Sequence, residues 1–553
     1  MQTENKNSLK IISLGGFGQV TNNMFVYETQ DEILIVDCGL GFPTGEMPGV
    51  DLTIPDVSYL LPKKKKIKGI VLSHGHDDHI GALPYILPQL GQIPIFGSRW
   101  ALALAKGKLK EFNLKASLEE MKQGKTISLG KFEIQSIEVT HSIPETLHLV
   151  ISTPLGIFYH AADFKLDLSP AMGKPTDQTL IRQFGGKGVL CLLSDCLRSE
   201  KEGFTPSETK LEEMFEREIS TCRGKFFVTT MSSNISRLKQ AIEVSLRRGR
   251  KIVLVGRSVD ENVKLALEMG YLKFPRDVFL PPRNLSRFSP SSLTLLVAGS
   301  QAQAGSALEK IVGQEHEVKI NPSDKVVFST DCIPGNETAI YSLIDNIYRL
   351  GAEVSYVDIQ SDVHVSGHGQ AGDLKKLIEL VRPKYLLPIG GNFRHAVAYQ
   401  RIAVDLGYRP NDVLLAPQSQ TFEFLPNGQA ITGKPIVTKT VMVDALGIGD
   451  VGNVVLRDRQ TLAKEGIVVA IVQVDLQRHE LIAEPEIVTR GFVYVHQAKR
   501  LLEEAKKEIA QVIARQKVAE IRLLRGDLQE MLEKFFFSRT GRQPMVLPVI
   551  ISV

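Results

Sequence analysis

Hydrophobic positions along the chain follow two rhythms that change near residue 205. Before it, short apolar runs rich in β-branched residues alternate with Gly, Pro and Asn turns at 32–36, 67–72, 132–139, 156–159 and 189–193. Runs of that length between breakers predict the strands of a sheet-rich domain. From about 205 to 362 each strand pattern leads into an amphipathic helix: 226–230 then 237–248, 251–255 then 260–269, 325–330 then 337–350. That alternation predicts βαβ units around a parallel sheet. A helix at 373–381 and a strand at 384–388 follow. The Gly- and Pro-rich stretch 426–438 reads as a linker. Beyond it, apolar residues at helical spacing over 497–516 and 519–536, flanked by strand patterns, predict a small α/β tail domain.

Composition narrows this picture by exclusion. The 553 residues, 43% apolar and 23% charged, suit about three or four soluble domains. Apolar stretches are strand-length, well short of the roughly 20 residues a membrane-spanning helix needs, so no membrane association is expected. The N-terminal MQTENKNSLK lacks the apolar core of a secretion signal, which makes a cytoplasmic location the expectation. The five cysteines, Cys38, Cys191, Cys196, Cys222 and Cys332, are odd in number and never form Cys-x-x-Cys. That argues against a disulfide framework and a thiolate zinc site. A net charge of +4 says little about partners. Histidine says more: of 12 in the chain, three fall within residues 74–79.

Those three sit in Ser73-His74-Gly75-His76-Asp77-Asp78-His79, directly after the run Ile70-Val71-Leu72. A strand that ends in His-x-His-x-Asp-His presents imidazoles and a carboxylate from one rigid base, a donor set suited to zinc or manganese. A lone His beside a strand is ordinarily structural, but three His and two Asp in six residues are not a chance pattern. Asp37, His141 and Asp163 each also fall where a strand meets a loop, so one sheet edge can gather them all. A bridging aspartate with histidines on both sides describes a dinuclear hydrolytic centre, able to activate water and stabilise charge developing on a phosphoryl group.

The loop His74-Gly75-His76-Asp77-Asp78-His79-Ile80-Gly81 resembles the signature of metallo-β-lactamase-fold hydrolases, with Asp37, His141 and Asp163 matching the other metal motifs in order. The resemblance extends to the branch with an inserted β-CASP nuclease domain, the ribonuclease J family. It runs through Leu193-Ser194-Asp195, Ser232-Ser233-Asn234, Gly256-Arg257-Ser258, Gly299-Ser300-Gln301, Ile333-Pro334-Gly335-Asn336-Glu337, His364-Val365-Ser366-Gly367-His368, Gly447-Ile448-Gly449-Asp450-Val451-Gly452 and Arg490-Gly491-Phe492-Val493-Tyr494-Val495.

It implies an α/β chain: an αββα metallo-β-lactamase sandwich from 1–204 and 363–425, a βα (β-CASP) domain over 205–362, a linker over 426–446 and a C-terminal α/β domain over 447–553. His74, His76, His141 and Asp163 would hold one ion, and Asp78, His79 and Asp163 a second. Asp195 and His368 would manage protons alongside Asp78, and His364 to His368 would grip an RNA phosphate. Asp51 and Asp444 are similar to positions that bind structural calcium in some relatives, although two lone carboxylates read first as solvated loop residues.

Several positions depart from the family pattern. A His expected after strand 385–388, as a ligand to the second ion, is replaced in Ile389-Gly390-Gly391-Asn392, so that ion should bind more weakly. His395 lies too far along to replace it and reads as a surface residue. Cys196-Leu197-Arg198 follows Asp195 where relatives carry small polar residues. Ser236 replaces a His, and Gln303-Ala304 interrupts an acidic-proline stretch.

Charge is unevenly spread. Between Arg223 and Arg257 nine basic residues face one acidic residue, Glu243, and read as a phosphate-binding face or, alternatively, a solvated helix face. Lys63 to Lys66 reads as a solvated loop. Ser232, Ser233, Asn234, Arg257 and Ser258 lie after strands, where ligand crevices form in βα domains, and suit a terminal phosphate; the resemblance links this region to a 5′-monophosphate. Gly15-Gly16-Phe17-Gly18 reads as a hairpin turn. Two readings stay open: a metal-dependent 5′–3′ exoribonuclease with endonuclease capacity on single-stranded RNA, or a weakly active paralogue that serves as the RNA-binding subunit of a partner nuclease. The apolar faces of the tail helices suggest a homodimer or an assembly with a paralogue, unless those faces pack within the tail.

Overall fold

In the computed structural model, which describes residues 7–552 except 334, 445–446, 450–451, 477, 479, 494 and 516–519, the apolar runs before residue 205 pair into two facing sheets. One runs in the order Ala430–Thr432, Thr421–Phe424, Leu9–Gly15, Met24–Glu28, Ile33–Val36, Ile67–Val71, Ile95–Gly97, Leu118–Glu120. The other runs Tyr385–Ile389, Val189–Asp195, Gly156–Ala161, Thr146–Thr153, Phe132–Val139, Ile127–Leu129. Ile11, Phe25, Leu34 and Val71 of the first meet Phe132, Leu149, Phe158 and Leu193 of the second in one apolar layer. Each such side chain contributes about 1.5–3 kcal/mol on burial. The opposite side of the second sheet, with Ile137, Val150, Tyr159 and Leu192, packs on the helices Gln178–Gly185, Ala371–Val381 and Phe393–Asp405. Helix Arg99–Glu111 lies against the first sheet. These layers form the αββα sandwich expected from the chain.

The second rhythm builds a parallel sheet in the order Phe279–Leu280, Lys251–Val255, Leu293–Val297, Phe226–Thr229, Lys325–Phe328, Glu353–Ser355. Helices Lys210–Thr221, Ile235–Arg247 and Arg257–Glu268 cover one face, and Ala307–Val312 and Glu337–Arg349 the other. Trp100 and Ile143 of the sandwich belong to the same buried cluster as Phe215, Leu238 and Val263 of the insert. Sandwich and insert therefore share a core within one compact unit, Met1–Phe42 with Thr53–Val441.

The predicted linker proves to be sheet over part of its length. Ala430–Thr432 pairs antiparallel with Thr421–Phe424, and the Pro-Asn-Gly signal marks the hairpin turn between them, where Gly428 takes φ +73°. A turn and a linker share the same residues, because both need backbone freedom.

The second unit, Pro43–Leu52 with Met442–Val553, contains the tail domain. Helices Val495–Arg515 and Ile521–Thr540 bury Ile509, Ile513, Leu524, Leu528, Leu532 and Phe536 against Val468, Ala470, Val472 and Val474 of strand Ile467–Asp475. Their apolar faces are thus used within the tail. Strand Met545–Ser552 pairs with Ile467–Asp475 and leaves Leu547, Val549 and Ile551 exposed. Pro334, Asp450, Val451 and Tyr494 of the sequence motifs lie outside the described residues. Among the described residues, no helix is long and apolar enough to cross a membrane.

Candidate metal centre

Strand ends deliver the site. Ile67–Val71 runs into the 73–79 loop, whose last residues form the helix turn Asp77–Ile80. Phe132–Val139 leads to His141 and Gly156–Ala161 to Asp163. Val189–Asp195 lies parallel to both Gly156–Ala161 and Tyr385–Ile389, with Asp195 opposite Ile389, so Asp163, Asp195 and Gly390 emerge at one edge.

His76 Nδ1 lies 3.0 Å from His74 Nε2 and 3.1 Å from His141 Nε2. Asp163 Oδ2 is 3.6 Å from His74 Nε2, 3.7 Å from His141 Nε2, 3.5 Å from His79 Nε2 and 3.8 Å from His368 Nε2. Asp78 Oδ2 stands 3.6 Å from His79 Nε2. Ligand atoms of His74, His76, His141 and Asp163 lie within 4.8 Å of one another, as do those of Asp78, His79 and Asp163 and those of Asp163, Asp195 and His368.

The remaining ring nitrogens are held from behind. Asp37, whose left-handed backbone at φ +63° turns it under the loop, accepts from His79 Nδ1 at 2.7 Å, from Ser73 N at 2.7 Å and from Ser73 Oγ at 2.8 Å. His141 Nδ1 donates to Gly367 O at 2.8 Å. Such partners fix the tautomer and aim the opposite nitrogen at an ion. Asp37 is thus an orienting carboxylate behind the ligands.

Electrostatics agree with a cation site. Burial, reinforced by the neighbouring imidazoles, holds His74 and His141 well below the ordinary value and brings His76 to about 4, so all three keep their lone pairs. Burial also opposes charge on His79, but Asp163, Asp78 and Asp37 outweigh it and raise its pKa. The carboxylates call for a positive group here, a demand that a divalent ion meets. Three neutral imidazole nitrogens converging on a carboxylate oxygen fit zinc or manganese.

Asp195 Oδ2 lies 2.8 Å from His368 Nδ1, and its Oδ1 accepts from Leu197 N at 2.8 Å. Burial would discharge His368, yet Asp195 and Asp163 raise it to about 9, while burial raises Asp195. Gly390, at φ +65°, sits beside this pair: a Cβ built there lies 3.8 Å from Asp163 Oδ1 and 3.9 Å from Asp195 Oδ1.

Other predicted residues take different places. Within 364–368, Val365 is buried and its carbonyl accepts from Arg237 Nη2 at 2.7 Å. Ser366 Oγ accepts from His368 N. Gly367 is buried, and its carbonyl accepts from His141 Nδ1. His364 Nδ1 accepts from Arg237 Nη1 at 2.8 Å. Asn234 caps helix Ile235–Arg247 and is buried. Ser232 Oγ accepts from Asn262 Nδ2, Ser233 is half-buried, and Arg257 and Ser258 are exposed at the start of helix Arg257–Glu268.

Of the basic segment, Lys225, Arg237 and Arg250 are buried, while Arg223, Arg247, Arg248 and Arg257 are exposed. Arg237 pairs with Glu208 at 2.9 Å, Lys225 with Asp324 at 2.9 Å, Arg247 with Glu212 and Glu216, Arg248 with Glu216, and Lys239 with Glu243. Arg250 is buried on the carbonyls of Cys222, Gly224 and Leu293. Glu208, Glu212, Glu216 and Asp324, all distant in sequence, supply counter-charges that a local charge count does not include.

His395 is buried, accepts from Asn392 N at 3.2 Å and caps its own helix, unlike the surface residue expected. Lys63 to Lys66 end a short 3-10 helix, with Lys63 paired to Glu28 at 2.7 Å. Asp444 pairs with Arg459, and neither it nor Asp51 joins a metal-binding group among the described residues. Sequence reasoning missed Asn23, which donates toward His79 Nε2 at 3.2 Å, and Glu208; neither stands in a motif.

Comparison with known proteins covers nearly the whole chain. The metallo-β-lactamase superfamily model matches residues 17–207, and that of the Zn-dependent metallo-hydrolase RNA specificity domain matches 356–415. The ribonuclease J β-CASP domain matches 223–347 and the ribonuclease J C-terminal domain 454–553. Ribonuclease J2 of Bacillus subtilis (strain 168) is 34% identical over 560 residues, with 100% of each chain covered. Ribonuclease J of Thermus thermophilus is 36% identical, with 98% of this chain and 95% of that one covered. Ribonuclease J 1 of Streptococcus pyogenes is 34% identical, with 99% and 98% covered. A protein of unknown function from Enterococcus faecalis V583 shares the fold over 77% of this chain and 100% of its own, with TM-score 0.52 and 15% identity.

Proposed function

The chain belongs to the ribonuclease J family of metal-dependent ribonucleases, and we propose that it shortens single-stranded, 5′-monophosphorylated RNA in the 5′–3′ direction and also cuts internally, in RNA maturation and decay in the cytoplasm. The observation that carries this reading is the convergence of His74, His76, His141 and Asp163 beside the Asp195–His368 pair. Ions held by those four residues, and by Asp78, His79 and Asp163, would be zinc, with manganese as the substitute, and supply the positive charge that polarises a phosphodiester and acidifies water. His368, between Asp195 at 2.8 Å and Asp163 at 3.8 Å, is placed to give a proton to the oxygen leaving phosphorus. Asp195 orients that imidazole. Purified chain supplied with zinc or manganese should shorten 5′-monophosphorylated RNA, and His76→Ala should lose at least about 100-fold of that rate, since even partners behind metal ligands contribute 10–100-fold. Equal rates for the two proteins would sink the reading.

A second reading is favoured by one observation. Gly390 brings no donor to the place beside Asp163, so the second ion has only Asp78, His79 and Asp163. On this reading the chain is a weakly active subunit that binds RNA for a partner nuclease, a paralogue. Less than one tightly bound ion per chain, with RNA binding retained, would favour it. Self-association or pairing with a paralogue finds support in Leu547, Val549 and Ile551, left exposed along one strand. Structural calcium at Asp51 and Asp444 finds little, because Arg459 already neutralises Asp444.

A further inference from the structure

Arg198 is one of the departures from the family pattern, and the structure gives it a specific partner. It lies three residues after Asp195, and its backbone pairs as an isolated bridge with Gln370, two residues after His368. The side chain leaves the sandwich and reaches the insert, where Nη1 donates to Asp331 Oδ2 at 3.0 Å. The same carboxylate oxygen lies 3.4 Å from His364 Nε2. Because His364 Nδ1 accepts from Arg237, its Nε2 carries the hydrogen and is a donor toward Asp331.

Two donors from the sandwich segments therefore converge on a single anionic oxygen of the insert, next to the segments that supply Asp195 and His368. The arrangement is incomplete in a telling way. Arg198 gives Asp331 Nη1 alone of its Nη1–Nη2 fork. A guanidinium achieves its full interaction with a bidentate oxyanion. Asp331 gives only a monodentate contact while its side chain stays 41% exposed, so a solute can reach and replace it.

We propose that Arg198, with His364, is a binding residue for an RNA phosphate, and that Asp331 occupies the phosphate's place in the free chain, so that RNA must displace an internal carboxylate to engage the site. A phosphate offers the same acceptor chemistry with enough oxygens to engage Nη1 and Nη2 of Arg198 together, the end-on fork that Arg217 makes with Asp362. The displaced Asp331 is partly solvated already and turns to water. The effect is a threshold: RNA bound elsewhere along the cleft must contribute enough affinity to complete the exchange. This inference rests on the reading of the chain as an RNA-acting nuclease.

The test uses the full-length, metal-supplied protein and a single-stranded RNA oligonucleotide, with binding read by fluorescence anisotropy. Asp331→Asn should tighten binding about fivefold, the scale of a partly exposed ion pair. Arg198→Gln should weaken it about tenfold, the scale of a hydrogen bond to a charged group. In the double variant the gain from Asp331→Asn should vanish. Asp331→Ser repeats the test without an amide able to rebuild the contact to Arg198. Comparing 5′-hydroxyl with 5′-monophosphate RNA identifies the phosphate: an equal gain assigns an internal phosphodiester, and a gain confined to phosphorylated RNA assigns the terminal group. Asp331 variants that bind no more tightly, or that gain equally without Arg198, would overturn the proposal while leaving the nuclease reading intact. No RNA binding or cleavage by wild type or any variant would overturn both.

Discussion

A Cβ at position 367 would lie 2.8 Å from His141 Cε1 and 2.8 Å from the Ser142 side chain. Only glycine lets this backbone close on His141 and offer it a carbonyl. Gly367→Ala should push His141 off its nitrogen target and lower metal affinity by about 10–100-fold, the range for partners behind a metal ligand, as measured by zinc titration against a chelating indicator. Unchanged affinity would mean that the loop yields without cost. Gly390 poses the opposite case, because a side chain has room there but the backbone at φ +65° resists one. Gly390→His should raise the ion count per chain and the RNA-cleavage rate together, while chemical unfolding of the metal-stripped protein shows a loss of about 1–2 kcal/mol from left-handed backbone. A loss of stability with no gain in metal would contradict a missing-donor role.

Helix Ile235–Arg247 shows how an element far in sequence governs the site. Its Arg237 is buried, held by Glu208, and reaches Ser329 O, His364 and Val365 O; Lys165 shares Glu208 from the sandwich side. Glu208→Gln would leave two buried cations short of their counter-charge, and a loss of about 3–5 kcal/mol is expected in urea unfolding at neutral pH. Burial alone would raise the Glu208 carboxyl, but Arg237 and Lys165 lower it below its ordinary 4.5. Its contribution is therefore complete above about pH 4.5 and is lost as acid carries the protein through the lower folded value. On acidification through that window, wild type should lose stability more steeply than Glu208→Gln, and the gap between them should narrow. Parallel pH profiles would remove Glu208 from the acid response.

The same helix explains what could be read in advance. The 73–79 loop was legible because its donors lie within one turn of chain and need no partner to be recognised. Asp163 and His141 were legible as strand ends, since Phe132–Val139 and Gly156–Ala161, both antiparallel to Thr146–Thr153 between them, run in the same direction and finish at one edge. The fate of Arg237, Arg247 and Arg250 was not, because their neutralising acids and carbonyls come from 26 to 128 positions away and local charge counting misses them. Gly428 and its neighbours were misread for a different reason, as backbone freedom marks a hairpin and a linker alike.

On the surface of the molecule, Arg247 and Arg248 are exposed but paired with Glu212 and Glu216. Arg247→Glu with Arg248→Glu would have abolished RNA binding had the segment been a phosphate track. Since both side chains are committed to Glu212 and Glu216, RNA affinity should instead stay within about twofold in an anisotropy titration at fixed salt, as exposed ion pairs are worth 0.2–1 kcal/mol. A loss of tenfold or more would restore the basic face.

The Asp195–His368 pair joins residues 173 positions apart, with the whole insert between them. On a ribosome adding about 5–20 residues per second, Asp195 waits roughly 10–30 seconds for its histidine. Throughout that interval the nascent chain carries His74, His76, His141 and Asp163 but lacks both His368 and the Gly367 carbonyl that aims His141. If Asp195 and His368 act as proposed, a ribonuclease emerging beside its own message lacks its cutting chemistry until the insert has been made.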